Sequence, residues 1–285
     1  MRLFFDVFKL RIGLAIGFTA LAGLAITPGP SVPLLQVLLL LLAVTTASAA
    51  AGAFNQMSER DLDLLMRRTR NRAFVTGRLV AGPRWMGLIL AVGAAGVGLA
   101  TLALNPVCGL YTFLGAFTYA IVYTRWLKRR THWNIVIGGL AGSFAVMAGG
   151  AAVAPTGLEP LTLLFALVLF LWTPPHFWSL AIVCHEDYAA ARVPMLPVVV
   201  GDARAARAIF LGAALLVASS VLPAWYGMGP LYLGVAVLAG AYLLWTSARL
   251  LRAPGVPAAL VNFRASLAYL VVLIAAAIGD ALLRG

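Results

Sequence analysis

Nine apolar runs, each close to the length needed to cross a bilayer, leave this chain little freedom in how it can fold. About twenty helical residues span the ~30 Å of hydrocarbon. The runs fall at 12–28, 33–54, 85–104, 106–125, 134–154, 160–183, 205–226, 229–248 and 263–283. They predict an all-α membrane protein, a bundle of nine transmembrane helices forming one domain over 1–285. Composition agrees: 62% of the 285 residues are hydrophobic, 11% are charged, and mean hydropathy is +0.97, far from a soluble domain. The N-terminal run is read as an uncleaved first span, since the alternation of charge described next requires it.

The formal net charge of +12 would suit a nucleic-acid partner if the basic residues formed a patch, but they are spread over alternate loops. The segment before the first run holds three, and the loops 55–84, 125–133, 184–207 and 249–264 hold seven, four, three and three. Twenty of twenty-one therefore lie on one side, and the positive-inside rule assigns that side and the N-terminus to the cytoplasm and the C-terminus to the opposite face. This accounts for the charge without nucleic acid. The expected location is a bacterial-type inner membrane. Two cysteines, Cys108 and Cys184, support neither a disulfide framework nor a cysteine metal site.

Most acidic residues share the basic side, and three of the nine fall within five positions of NQMSERDLDLLMRRTRNR, residues 55–72. On a helix, positions four apart drift only about 40°, so Asn55, Glu59, Asp63 and Arg67 are expected on one face, with Asp61 pointing elsewhere. An amide, two carboxylates and a guanidinium in a row offer hard oxygens to a divalent cation and a cation to the remaining oxygens of a phosphate or diphosphate. The plainer alternative is a solvated helix end whose acids pair with Arg60, Arg67, Arg68 and Arg70. Against it stands the concentration of so few acids at one membrane-helix end.

The sixth run ends in CHEDYAAARVPMLP, which places Glu186 and Asp187 about 130 residues after the first cluster. Two four-helix halves plus a ninth helix would bring the clusters face to face. Four or five carboxylates would then repel unless cations neutralise them, and two Mg²⁺ ions bridging a diphosphate would do so. Arg67, Arg70, Arg125, Lys128 and Arg192 are candidate diphosphate donors, with anchoring at the lipid interface as the alternative for each. WTPPHFW, residues 172–178, carries two prolines expected to kink or unwind the sixth helix beside a cavity. His176 there could ligate iron, act as a base or hydrogen-bond a freed carbonyl, and Trp172 could stack on a large ligand or belong to an aromatic belt. Asn134 opens the fifth run in THWNIVIGGLAG, where Gly138, Gly139 and Gly142 allow close helix approach; its side chain either packs or faces the polar pocket.

Taken together, these strings resemble the UbiA-type intramembrane prenyltransferases. ERDLDLLMRRTRNR, YTRWLKRRTHWNIVIGG, WTPPHFWSLAI and DYAAARVPMLPVVVG are similar to the branch that farnesylates haem, and FKLRIG looks like its Lys-Pro-Arg opening. Leu10 and Ala73 stand where that branch usually has proline, Arg192 where it has glycine, and Ala145-Val146 where Pro-Pro is common. The resemblance implies a UbiA-type bundle, farnesyl diphosphate and haem B as substrates, haem O as product, Mg²⁺ as cofactor and membrane lipid as surroundings. It also implies haem A synthase or oxidase assembly proteins as partners. Mg²⁺ would be held by Glu59 and Asp63, with Asn55 alongside, and by Glu186 or Asp187; catalysis would rest on Asn55, Glu59, Asp63, Glu186 and Asp187, and Arg67, Arg70, Arg125, Lys128, Arg192, His176, Trp172 and Asn134 would bind substrate. A UbiA-type enzyme acting on an aromatic quinone precursor, and a permease or haem-binding assembly factor without chemistry, are the alternatives.

Overall fold

The computed structural model describes residues 2–284. Among them, nine apolar helices build the bundle, counted here in chain order: Leu10–Ile26, which at 17 residues is shorter than the others, and eight long and apolar enough to cross a membrane, Leu34–Ser58, Pro83–Ala103, Pro106–Leu127, Asn134–Val153, Pro160–Val183, Asp202–Val221, Pro230–Arg252 and Val256–Arg284. Four of them open on proline, whose missing N–H and fixed φ suit the first turn. Leucine, valine and phenylalanine cover the outside, as at Leu35, Leu90, Leu102, Leu211, Leu238 and Val271. That surface is suited to lipid tails.

The observed helices match the apolar runs to within a few residues, with one informative exception. The ninth begins at Val256, seven residues before the apolar run. Asn262 and Arg264 interrupt the hydropathy there, but Asn262 is fully buried and satisfied. Its Oδ1 accepts from Thr246 and Ser247, each at 2.8 Å, and its Nδ2 donates to Ser179 at 2.9 Å. Another correction concerns the sixth helix, which runs unbroken through Pro174 and Pro175 rather than unwinding. Neighbouring helices enclose both prolines, and Thr173 Oγ1 bonds the Leu169 carbonyl one turn back.

Contacts between distant segments define two ends. At the basic end, Lys9 meets Asn55, Lys128 meets Glu59, Arg129 meets Asp61 and Arg67 meets Glu186. At the other, Asn105 Nδ2 bonds Ala151 O, Tyr111 bonds Thr156 O, and the buried Asp280 accepts the N–H of Gly229 at 2.7 Å beneath the eighth helix. The core divides into a small-residue half around Ala20, Ala43, Ala100 and Ala148 and a larger-residue half around Phe165, Leu216, Tyr232 and Tyr269.

Close approach in the first half depends on glycine. A Cβ on Gly149 would collide with the Ala20 carbonyl, one on Gly23 with the Val146 carbonyl, and one on Gly96 would lie 2.6 Å from Ala47 N. Of the glycines expected to allow tight packing, Gly138 and Gly139 face Tyr123 and Thr173 at 3.0 Å, whereas Gly142 has ordinary room, 3.9 Å from Leu169. Gly149→Ala should therefore destabilise the bundle by about 1–3 kcal/mol through forced backbone separation. Gly142→Ala should be close to neutral. Thermal inactivation of the two variants in detergent measures the difference.

Candidate active site

The second spanning helix loses its α form at Glu59 (φ −104°, ψ 13°) and resumes as the short helix Arg60–Leu65. Its i, i+4 ladder survives: Glu59 N bonds Asn55 O at 3.0 Å and Asp63 N bonds Glu59 O at 2.8 Å. Asn55, Glu59 and Asp63 therefore share one face, all at most 3% exposed. Asp61 points outward, where hydrogen bonds from Arg129 at 2.8 Å hold its carboxyl below the usual range.

Burying two carboxylates requires partners, and each comes from a different part of the chain. Glu59 Oε2 accepts from Lys128 Nζ at 2.5 Å and Asn55 Nδ2 at 2.8 Å. Asp63 takes a guanidinium nitrogen of Arg72 on both oxygens, at 2.8 and 2.7 Å. Asn55 Oδ1 accepts from Lys9 Nζ at 2.7 Å, and Lys9 also reaches the Tyr119 hydroxyl at 3.2 Å. Three basic side chains thus surround two carboxylates. Burial, with Arg72 and Lys128 nearby, pulls the Lys9 ammonium down to about 7. An incoming anion would favour the charged form of Lys9 in this low-dielectric site. Beside it opens a cavity of about 380 Å³, lined by Lys9, Arg68, Arg72 and Arg78 with Asp6 as the one acid among its described lining residues.

Among the described residues, no three His, Cys, Asp or Glu side chains gather to hold an ion alone. The expected cluster of four or five carboxylates is thereby corrected: Lys128 and Arg72 engage the first pair, and backbone amides and Arg67 engage the second. Glu186 is exposed and pairs with Arg67 at 3.1 Å, while Asp187 accepts the backbone N–H of Arg67 at 3.1 Å and of Arg68 at 3.4 Å. These contacts tie the two acidic motifs together, and Leu62 and Met66 pack with Ala181, Tyr188 and Val193 beneath them. A divalent ion still suits the first motif. Glu59 Oε1 is buried without a partner among the described residues, and it stands with Asp63 and the Asn55 oxygen as hard donors. Mg²⁺ commonly takes one or two carboxylates and completes its shell with water and phosphate oxygens.

Comparison with known proteins adds a direct finding, since residues 16–267 match the UbiA prenyltransferase family. The chain belongs to that family. It is 55% identical over 280 residues, 98% of this chain and 97% of the relative, to protoheme IX farnesyltransferase 2 of Paramagnetospirillum magneticum. It is 39% identical to the protoheme IX farnesyltransferase of Alkalilimnicola ehrlichii over 95% of this chain and 90% of that one. Among solved structures, a digeranylgeranylglyceryl phosphate synthase superposes with a TM-score of 0.80 at 16% identity, covering 98% of both chains. A UbiA homolog from Archaeoglobus fulgidus bound to DMAPP and Mg²⁺ gives 0.75 at 16% identity over 95% of this chain and 98% of that one. These last two establish the fold.

Within this UbiA bundle the remaining expected residues are distributed unevenly. Arg67 does not continue the Asn55–Asp63 face, because the short helix ends at Leu65 and Met66 turns extended (ψ 125°). The chain then doubles back through turns, and Arg72 arrives at Asp63 instead. Arg70, Arg125 and Arg192 are exposed, and Lys128 alone of the five candidate donors lies in the buried group among the described residues. Arg192 holds φ +53°, in the left-handed region that favours glycine. Asn134 is fully buried; its Nδ2 donates to Thr131 O at 2.6 Å and its Oδ1 has no partner among the described residues.

His176 bonds Ser266 Oγ at 2.8 Å on the ninth helix rather than a freed carbonyl. It is stacked between Trp172 and Phe263 at centroid distances of 4.2 and 4.5 Å. Lys9, Arg72, Tyr119 and Thr124 were not among the expected site residues. The one available signal for Lys9 was the FKLRIG string.

Two outcomes follow. Arg72→Met should weaken binding of inorganic diphosphate by roughly 10–100-fold, the loss of a charge-assisted bond, whereas Arg67→Met should change it by less than about 3-fold; calorimetric titration separates them. Arg192→Gly should raise stability by about 1 kcal/mol by relieving left-handed strain, read as a higher midpoint of thermal unfolding.

Proposed function

We propose that this protein transfers the farnesyl group of farnesyl diphosphate to a vinyl group of haem B, with addition of water, giving haem O. The observation that carries the reading is the 55% identity over nearly the whole chain to a protoheme IX farnesyltransferase. The buried Asn55–Glu59–Asp63 face supports the diphosphate half of the reaction. The active end faces the cytoplasm by the distribution of basic residues.

In this mechanism Glu59 and Asp63, with Asn55 beside them, would hold Mg²⁺, and Asp187, with Glu186 next to it, would close the site from the second motif. When bound, the ion would supply charge stabilisation for the departing diphosphate. Arg72, Lys128 and Lys9 exchange their carboxylate and amide partners for diphosphate oxygens as the substrate enters. Heterolysis of the C1–O bond sends the electron pair to the diphosphate and leaves an allylic cation. Enclosure between the first and second motifs keeps water from that cation. The vinyl terminal carbon of haem attacks C1, and the cation left on its neighbour takes hydroxide from water with release of a proton to solvent.

The acceptor side is assigned to the sixth and ninth helices. Ser266 Oγ donates to the Phe263 carbonyl at 2.8 Å, so the His176 Nδ1 contact needs the proton on the imidazole. That tautomer leaves Nε2 with a lone pair, the form in which histidine ligates iron. Trp172, donating Nε1–H to the Ser266 carbonyl at 2.7 Å, fixes the aromatic wall beside it.

Incubation of the purified protein in lipid with haem B, farnesyl diphosphate and Mg²⁺ should give a haem whose mass has gained farnesyl plus water, and chelation should abolish the gain. Glu59→Gln and Asp63→Asn should each lower turnover by at least ~100-fold while remaining folded. Prenylation of an aromatic acceptor in place of haem would overturn the acceptor assignment.

A further inference from the structure

The fourth spanning helix changes its winding where it meets the first acidic motif. Thr118–Leu127 is a ten-residue π-helix, a form rare enough that its occurrences concentrate at functional sites. Lys128 N bonds Tyr123 O at 2.9 Å in the same i, i+5 pattern, and this pitch delivers both Thr124 and Lys128 to the Asn55–Glu59 face.

Thr124 makes two hydrogen bonds there, and their directions are forced. Its Oγ1 donates to the Tyr119 carbonyl at 2.8 Å. A hydroxyl carries one proton. With that proton committed, Oγ1 can only accept toward the motif, and it accepts from Asn55 Nδ2 at 3.1 Å. The second hydrogen of the same amide goes to Glu59 Oε2 at 2.8 Å. Both amide hydrogens are thus fixed, and Asn55 Oδ1 is turned to the side where the Lys9 ammonium now lies at 2.7 Å. Thr124 is 1% exposed and Asn55 3%, so bulk water does not substitute for these partners.

We propose that Thr124 is a positioning residue that distinguishes the two ends of the Asn55 amide, so that its oxygen joins Glu59 and Asp63 toward the divalent ion. The inference rests on the metal–diphosphate reading above and goes beyond it, by assigning the selection of the ligand atom to a side chain that does not touch the ion. Rotation of the amide by half a turn would present two N–H donors to a cation. The Thr124 oxygen, unable to donate toward Asn55, opposes that rotation.

The test uses the full-length protein in lipid, with Mn²⁺ as the probe and bound ion measured by electron paramagnetic resonance. Thr124→Val keeps shape and removes the hydroxyl; Thr124→Ala does so without the branched methyls, and Thr124→Ser keeps it. Both hydroxyl-free variants should bind Mn²⁺ roughly 10–100-fold more weakly, as when an outer-shell partner of a metal ligand is lost. Thr124→Ser should stay within about 2-fold of the parent, and the half-saturating Mg²⁺ for turnover should move in parallel. Unchanged Mn²⁺ affinity in Thr124→Val and Thr124→Ala overturns the proposal, as does a Thr124→Ser variant weakened as much as they are. If one hydroxyl-free variant does not fold, the other decides. A parent protein that binds no Mn²⁺, with or without inorganic diphosphate, overturns the metal reading itself, a separate result.

Discussion

Everything at the basic end of this protein depends on neutralising two carboxylates buried at the end of a membrane helix. Glu59 and Asp63 are each at most 2% exposed, and an unpaired charge in such surroundings costs several kcal/mol. Their partners come from three places: Lys128 after the fourth helix, Arg72 from the loop that follows the motif, and Lys9, through Asn55, from the start of the first helix. The site cannot form until these elements have come together, which ties its integrity to the fold of the first half of the bundle.

The same arrangement makes the site receptive. Three basic side chains stand against two carboxylates, and a basic cavity adjoins them. Under the proposed function, the groups in these ion pairs would change partner when an anion and a metal arrive together. The first half provides this chemistry on tightly packed, small-residue helices. The second half supplies larger aromatic residues around His176, and polar ties such as Asn262 hold that wall to the eighth and ninth helices. The buried polar site and the aromatic wall are thus built from different kinds of packing.

Helix winding is the less expected element. In a regular α-helix a residue bonds the carbonyl four back, and the fourth helix departs from this over Thr118–Leu127. The altered pitch places Tyr119, Thr124 and Lys128 on the face that meets Asn55 and Glu59. Gly138 makes room for the Tyr123 ring at that level. Local backbone geometry is less favourable so that a side-chain constellation can form, a pattern common at functional sites.

The sequence by itself determined the apolar helices, the basic end of the bundle and the shared face of Asn55, Glu59 and Asp63. These follow from hydropathy, loop charge and helical periodicity, all local properties. It also carried strings specific enough to indicate the family. It did not indicate that Arg72 rather than Arg67 meets Asp63, since a backbone turn at Met66 decides that. Nor did it reveal Lys9, Thr124 and the π-helix, which join Asn55 across 46 and 69 residues of chain, or a ninth helix extended through a buried asparagine. Tertiary structure alone settled these, because a buried charge or amide takes whichever partner packing brings within hydrogen-bond distance, and sequence spacing does not encode that distance.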